Sequence, residues 1–342
     1  MNSVFDTLFL PINQGMISLP ETPEVIGFFG AQQHPAMQYL DQSIHVQQYF
    51  KPYAEHLEQA DFLVSPLMEF EPNSFELIII HVPQNTIEAQ GLIAQAARFL
   101  KSNGVLICGA GNKSGGARIH KFLAKIGLKN IKDLSKHKSR VCWGEKDNLE
   151  DDLIESCIQT ANIQISAQTK FTTQPGIFGW NKIDKGSEIL ASFFKNQLTG
   201  HVADFGCGYG YLSIQALKNC DKIRTLHACD ADYRAVEACR QNCSPIETTA
   251  DLNYQWVDLT SPTKLRNLDY VIMNPPFHAQ KNTDISIGIK FIEQAHAALS
   301  KHGALWMVAN AHLPYESTLK SLFFKVEKVF EGQGFKVFVA TK

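Results

Sequence analysis

No Cys-x-x-Cys pair occurs in this sequence, and its eight cysteines follow no disulfide framework. That argues against a bridge-stapled secreted fold and against a zinc ribbon. Cys220, Cys229, Cys239 and Cys243 lie near one another in the sequence. However, Cys229 fits a strand, and Cys239 and Cys243 stand at i,i+4 on a helix, where small thiols are commonly buried. No metal is expected. The N-terminus lacks the basic segment of a signal peptide, and no apolar run reaches bilayer length. The expected setting is the cytoplasm, with reduced thiols and no membrane partner. A dominant charge sign is missing too: 32 Lys and Arg stand against 34 Asp and Glu. A net charge of −2 excludes a uniformly basic coat for nucleic acid.

What charge there is lies unevenly. Residues 1–100 hold two cations, Lys51 and Arg98, against eleven acids. Residues 113–140 hold nine cations, among them Lys121, Lys125, Lys129 and Lys132, against the single acid Asp133. Such asymmetry fits a local basic face for RNA phosphates or, equally simply, a solvated helix and hairpin.

A length of 342 residues suggests two domains. The front half reads as α/β, with strands at 24–29, 46–50, 62–64, 77–82 and 104–108 and helices at 86–100 and 118–126. Its pattern recurs. Phe75–Pro83 parallels Leu268–Pro276, Leu100–Gly104 parallels Leu299–Gly303, and Arg140–Gly144 parallels Lys336–Ala340, at offsets of 193, 199 and 196 residues. A nearly constant register is the mark of a duplicated domain. Asp147, Glu150, Asp151 and Asp152 form a polar boundary, which places the domains at 1–150 and 151–342.

The second copy carries chemistry that the first lacks. Val202-Ala203-Asp204-Phe205 runs into glycines at 206, 208 and 210, and a helical pattern follows. Those glycines let the backbone turn sharply and approach a ligand. The next strand ends in Asp230, where a carboxylate can hold a ribose diol, and Asp258 closes a further strand. The strand at 268–273 leads into Asn274-Pro275-Pro276-Phe277. The prolines stiffen the turn and keep their carbonyls as acceptors. An amide oxygen, the Pro275 carbonyl and an aromatic plane suit a planar amino group, although an Asn-Pro turn is also a plain strand exit. In the first copy His81 stands at the position of Asn274, and Gly27-Phe28-Phe29-Gly30 replaces the glycine loop. That copy is expected to be degenerate, serving RNA binding or scaffolding. Early in the second domain, the loop 171–185 carries Phe178 and Trp180, each able to stack on a base or to anchor the edge of a core.

These motifs resemble those of class I S-adenosylmethionine-dependent methyltransferases that act on an amino nitrogen. Asn-Pro-Pro-Phe-His at 274–278, Pro-Gly-Ile-Phe at 175–178, Ile-Asp-Lys-Gly-Ser at 183–187 and Val-Ala-Asn-Ala-His-Leu-Pro-Tyr at 308–315 are similar to the bacterial 16S rRNA guanine-N2 methyltransferases. The likeness covers 175–342 well and reaches the front half thinly, through Asn112-Lys113-Ser114-Gly115. Gly179-Trp180 departs from the family pattern.

The resemblance implies two tandem Rossmann-like methyltransferase domains, the first degenerate. It implies transfer of a methyl group from S-adenosylmethionine, leaving S-adenosylhomocysteine, to N2 of a 16S rRNA guanine, guanine 1207 in the family. Asn274, Pro275 and Phe277 would hold the base. Asp204, Gly206, Gly208, Gly210, Asp230 and Asp258 would hold the cofactor. Phe178 and the four lysines would meet the RNA, free or in the 30S subunit, and a monomer is expected. An adenine-N6 or glutamine-amide methyltransferase and a non-catalytic assembly factor stay open.

Overall fold

The computed structural model describes residues 4–276, 278–279, 282–283 and 285–342. They form two compact units, Met1–Asn162 and Ile163–Lys342. In the first, α1 (Val4–Leu8) and α2 (Leu10–Asn13) precede β1 (Ile26–Phe29), β2 (His45–Gln47), α3 (Lys51–Glu58), β3 (Val64–Ser65) and β4 (Phe75–His81). Then come α4 (Thr86–Phe99), β5 (Leu100–Gly111), α5 (Gly116–Lys125), β6 (Leu128–Lys136), β7 (Ser139–Lys146) and α6 (Asp151–Ala161). The sheet order is β3-β2-β1-β4-β5-β7-β6.

The boundary expected after residue 150 moves to Asn162, because α6 belongs to the first unit. Ile154 and Ile158 enter its core, and Arg98 on α4 pairs with Glu155. The helices cross closely at Gly91, where an added Cβ would stand 2.1 Å from that of Ala161. The acidic run read as a linker supplies the first turn of this helix, where carboxylates favour the helix dipole.

The second unit opens with the short pair β8 (Gln164–Ile165) and β9 (Thr172–Thr173) and with α7 (Lys185–Ala191). It continues through β10 (Gly200–Phe205), α8 (Tyr211–Asn219), β11 (Ile223–Asp230), α9 (Tyr233–Cys243), β12 (Asp251–Trp256) and β13 (Leu268–Met273). After the small hairpin β14 (His278–Ala279) and β15 (Asn282–Thr283) follow α10 (Ile285–Ala298), β16 (Leu299–Asn310), α11 (Tyr315–Leu322), β17 (Lys325–Gly332) and β18 (Phe335–Thr341). The order is β12-β11-β10-β13-β16-β18-β17, position for position that of the first sheet. Val202, Ile272 and Val308 face one core, while Phe205, Met273 and Met307 face the other. Both faces are covered, as a parallel sheet flanked by helices requires.

The duplication extends to irregularities. The register shifts between Phe75 and Leu77 in the first sheet and between Leu268 and Tyr270 in the second. Gly111 pairs with Ser139 as Asn310 pairs with Phe335. The helix at the extreme N-terminus was not anticipated.

In the second unit α10 and α11 meet through Tyr315, which is fully buried against Gly288. A Cβ at 288 would lie 2.1 Å from the Tyr315 hydroxyl. Gly288→Ala should therefore displace a rigid ring, at a cost of about 1–3 kcal/mol. The check is thermal unfolding followed by tryptophan fluorescence, which reports mainly the second unit through Trp180, Trp256 and Trp306. An unchanged midpoint would show that the ring yields freely.

Candidate active site

Four parallel strands of the second sheet, β12, β11, β10 and β13, end on one edge. The chain reverses its order of winding between β10 and β13, which makes a crevice at their carboxyl ends. Gly206 follows β10 and Asn274 follows β13, and both line one cavity with Gly208 and Phe178. The amides of Gly206 and Cys207 donate to the Cys229 carbonyl at 2.8 and 3.0 Å. The Gly208 amide donates to Asp230 Oδ2 at 2.8 Å, and Asp232 N donates to Oδ1 at 2.9 Å. Glycines 206, 208 and 210 all take positive φ, of 76°, 54° and 94°. Gly208 has no atom within 4 Å of a notional Cβ, so its backbone lies open to a ligand.

Beneath the loop, Asp204 is fully buried. Its Oδ2 accepts from Ser213 Oγ at 2.6 Å, while Oδ1 has no hydrogen-bond partner among the described residues. Burial pushes its pKa up to about 7, with the Ser213 bond opposing and the Asp230 charge adding. Burial likewise lifts Asp230 to about 6. Asp258 lies beyond the end of β12 and does not line the cavity. Its Oδ1 takes Thr260 N and Oγ1, both at 2.7 Å, and its Oδ2 takes Ser261 Oγ at 3.1 Å.

Two residues that sequence reasoning did not assign to the site fix Asn274. Its Nδ2 donates to Asp184 Oδ1 at 2.7 Å and to Ser187 Oγ at 2.9 Å. A carboxylate accepts only, so the amide must present its NH2 to Asp184. Both amide hydrogens are thereby used, and among the described residues none donates to Oδ1. Asp184 also caps α7 by accepting from Ser187 N at 2.9 Å. The Asp-x-x-Ser spacing of a helix cap was visible in the sequence, but Asp184 fell within the loop assigned to residues 171–185, which hid it. Pro275 is buried and Pro276 exposed. Phe277, expected to stack on the base, lies outside the described residues.

The two loop aromatics separate. Phe178 is 62% exposed at the cavity, whereas Trp180 packs on the cluster of Ile177, Tyr209, Ala235 and Ala238. The departure at Gly179 has a structural cause: φ is +71°, and a Cβ would press within 3.3 Å of the Tyr209 ring. Asn242 on α9, also missed, donates to the carbonyls of Thr172 and Tyr209 at 2.7 and 2.8 Å, tying β9 to the glycine loop.

The first unit lacks this arrangement. At the end of β4 the Phe5 ring of α1 lies 4.7 Å from that of His81, and Phe5 also stacks on His34. Burial keeps the His81 imidazole neutral, with its pKa down to about 4. Of the four lysines, Lys121 and Lys125 share the exposed side of α5. Lys129 on β6 instead pairs with Asp147 at 3.4 Å, and Lys132 lies further along that strand. The basic residues thus do not form one continuous set. No group of three His, Cys, Asp or Glu among the described residues is arranged to hold a metal. No helix among them is long and apolar enough to cross a membrane.

A doubly wound sheet with an antiparallel edge hairpin, a glycine loop at the switch point and an Asn-Pro-Pro turn beside it defines a methyltransferase domain of the Rossmann-like class. The model of the methyltransferase small domain family matches residues 168–339. Within that class the chain belongs to the ribosomal RNA small subunit methyltransferase C family. It is 30% identical over 305 residues to the Aliivibrio fischeri MJ11 member, covering 86% of this chain and 85% of that relative. It is 28% identical over 279 residues to the Acinetobacter baumannii AYE member, covering 80% and 81%. Its fold is similar to that of a T. thermophilus 16S rRNA N2 G1207 methyltransferase, solved with AdoMet and guanosine. The TM-score is 0.81 at 19% identity, over 100% of this chain and 92% of that one.

The buried carboxylates give a pH signature. Asp204 and Asp230 titrate higher in the folded chain, about 7 and about 6, than the ordinary 3.8. Their contribution to stability is full below about pH 4 and is lost as pH rises through 6 and 7. Asp204→Asn keeps an acceptor for Ser213 but cannot ionise. Its unfolding midpoint should therefore gain on the wild type progressively between pH 4 and 8. Parallel melting curves across that range would refute the buried charge.

Proposed function

We propose that this chain transfers a methyl group from S-adenosylmethionine to the exocyclic N2 of a guanine in 16S rRNA, guanine 1207 as in the T. thermophilus relative. The observation that carries this is the amide of Asn274 at the cavity, whose NH2 is held by Asp184 and Ser187 while no other described residue bonds its oxygen. An aromatic amine needs acceptors for its hydrogens, and Asn274 Oδ1 with the Pro275 carbonyl supplies two of them. Holding both hydrogens favours a pyramidal nitrogen and aims its lone pair. Phe178, exposed at the cavity, offers a stacking face for the base. A paired guanine must first be flipped out, which costs a few kcal/mol.

The site fits the cofactor on three counts: the open backbone at Gly208, the buried unpartnered oxygen of Asp204, and an acid at the end of β11. Gly206, Gly208 and Gly210 would take the methionine part, with Asp204 beneath them. Asp230 would take the ribose hydroxyls. Asp258 Oδ2, which accepts a single bond, would take the adenine amine. When bound, S-adenosylmethionine supplies an electrophilic methyl on a cationic sulfur. The protein's part is to position the amine and exclude water, with no side-chain base required.

Nucleoside analysis of 16S rRNA from a deletion strain tests the reading: N2-methylguanosine at the target should vanish, and its persistence ends the rRNA assignment. Methylating naked 16S rRNA and 30S subunits side by side identifies the form used. Asn274→Ala should lower turnover on the order of 100-fold, with cofactor affinity held within about twofold, because the lost contact is to the amine. Asp184→Asn should also lower turnover, since a second amide no longer dictates which end Asn274 presents. Calorimetric titration should give one S-adenosylmethionine per chain, because Phe5 and His81 occupy the corresponding edge of the first unit. Two per chain would contradict that assignment.

A further inference from the structure

The duplicated units differ most usefully where α10 meets α11. The displacement between copies is 199 residues for three successive elements: 86 to 285 for the first helix, 100 to 299 for the strand and 116 to 315 for the second helix. By that register Gly116 stands where Tyr315 stands, and Ala89 stands where Gly288 stands. In the second unit the Tyr315 ring fills the space between the two helices. In the first unit Gly116 faces the end of β5, where an added Cβ would stand 2.8 Å from the Ala110 carbonyl. A cavity of about 390 Å³ lies between α4 and α5, lined by Ala89 and not by Gly116. That is within the roughly 300–1,000 Å³ of small-ligand sites.

The lining of this cavity is of two kinds. Val82, Ile93, Ile119 and Phe122 give it an apolar floor. Arg118, Lys121 and Lys125 stand on its rim, and no carboxylate lines it. These three cations recur at i, i+3 and i+7, so they share one face of α5. They span about 10 Å along its axis. Arg118 Nη1 also donates to Thr86 Oγ1 at 2.5 Å, linking α5 to the start of α4. An apolar-floored cavity beside a row of cations is complementary to a nucleobase carried on a phosphate chain.

We propose that this groove of the first unit binds a single-stranded segment of the substrate RNA, with one base on the apolar floor and neighbouring phosphates on Arg118, Lys121 and Lys125. The assignment rests on the rRNA reading above and adds to it where the degenerate copy grips. Stacking rewards any base, so the site grips strand and leaves the choice of target to the second unit.

The test uses the full-length chain and a fluorescein-labelled single-stranded RNA oligonucleotide of mixed sequence, followed by anisotropy at several salt concentrations. Lys121→Gln with Lys125→Gln should weaken RNA binding about tenfold near 0.1 M salt and lower the slope of log affinity against log salt by about 1.4, as for two lost phosphate contacts. Ala89→Leu, which fills the floor, should weaken binding and leave the slope as it was. Lys129→Gln, already paired with Asp147, should change little. Cofactor affinity by calorimetry should stay at the wild-type value in all of them. If the double variant and Ala89→Leu bind RNA like the wild type, the groove assignment is wrong while the rRNA reading stands. If they keep RNA affinity but no longer co-sediment with 30S subunits, the groove takes a ribosomal protein and the RNA assignment is overturned. If the wild-type chain binds cofactor but no RNA, the rRNA reading fails and the groove falls with it.

Discussion

The parallel pairing of Phe205 with Met273 is the constraint on which the site depends. The next residues on the two strands are Gly206 and Asn274, so one register sets the glycine loop beside the Asn-Pro-Pro turn. Each strand alternates between two cores, and a slip of one residue would turn Phe205 and Met273 into the opposite face. The apolar volumes on both sides of the sheet thus enforce the register, and the register enforces the distance between the two loops of the candidate site. Precision at the site is in this sense a property of the core.

The same scaffold is used twice with different endings. The sheet orders agree, and even the early register shift in the fourth strand is repeated. What changed lies at strand ends and helix contacts, where a substitution costs little in core packing. At the end of β4, histidine replaces asparagine, and Phe5 from α1 lies against it. Between α4 and α5, glycine stands at the position of the buried tyrosine that joins α10 to α11. Loss of one site and the opening of another space are therefore compatible with an unchanged fold.

Much of this was legible in the sequence, for reasons that particular elements make plain. The glycine loop and Asn274 were found because alternating glycines and a double proline are backbone instructions, readable without tertiary context. The duplication was found because buried parallel strands are continuous apolar runs whose spacing survives divergence. The boundary near residue 150 went astray because charge density marks exposure, and the first turn of α6 is an exposed acidic turn on a helix that still packs inward. Asp184 and Ser187 were missed as site residues because their role exists only across ninety residues of chain. The nine cations of 113–140 fitted either one basic face or a solvated helix and hairpin, and they divide among α5, the hairpin strands β6 and β7 and the turns beside them, which the charge count alone does not show.

The electrostatics of the second unit connect its stability to its proposed task. Asp204 and Asp230 are both lifted by burial, and each raises the other or is raised by a neighbouring acid. Alone in the protein, such carboxylates are costly, and the free Oδ1 of Asp204 makes the cost visible as an unmet acceptor. Among the described residues no lysine or arginine is bonded to either group. A cation arriving over the glycine loop, such as an ammonium or a sulfonium, favours the charged carboxylates and draws their pKa values back down. Binding then relieves part of a penalty that folding alone has to carry, and a ligand held only by the folded state stabilises it in proportion. Under the proposed reading, the burial of Asp204 favours ligands that bring positive charge over those that do not.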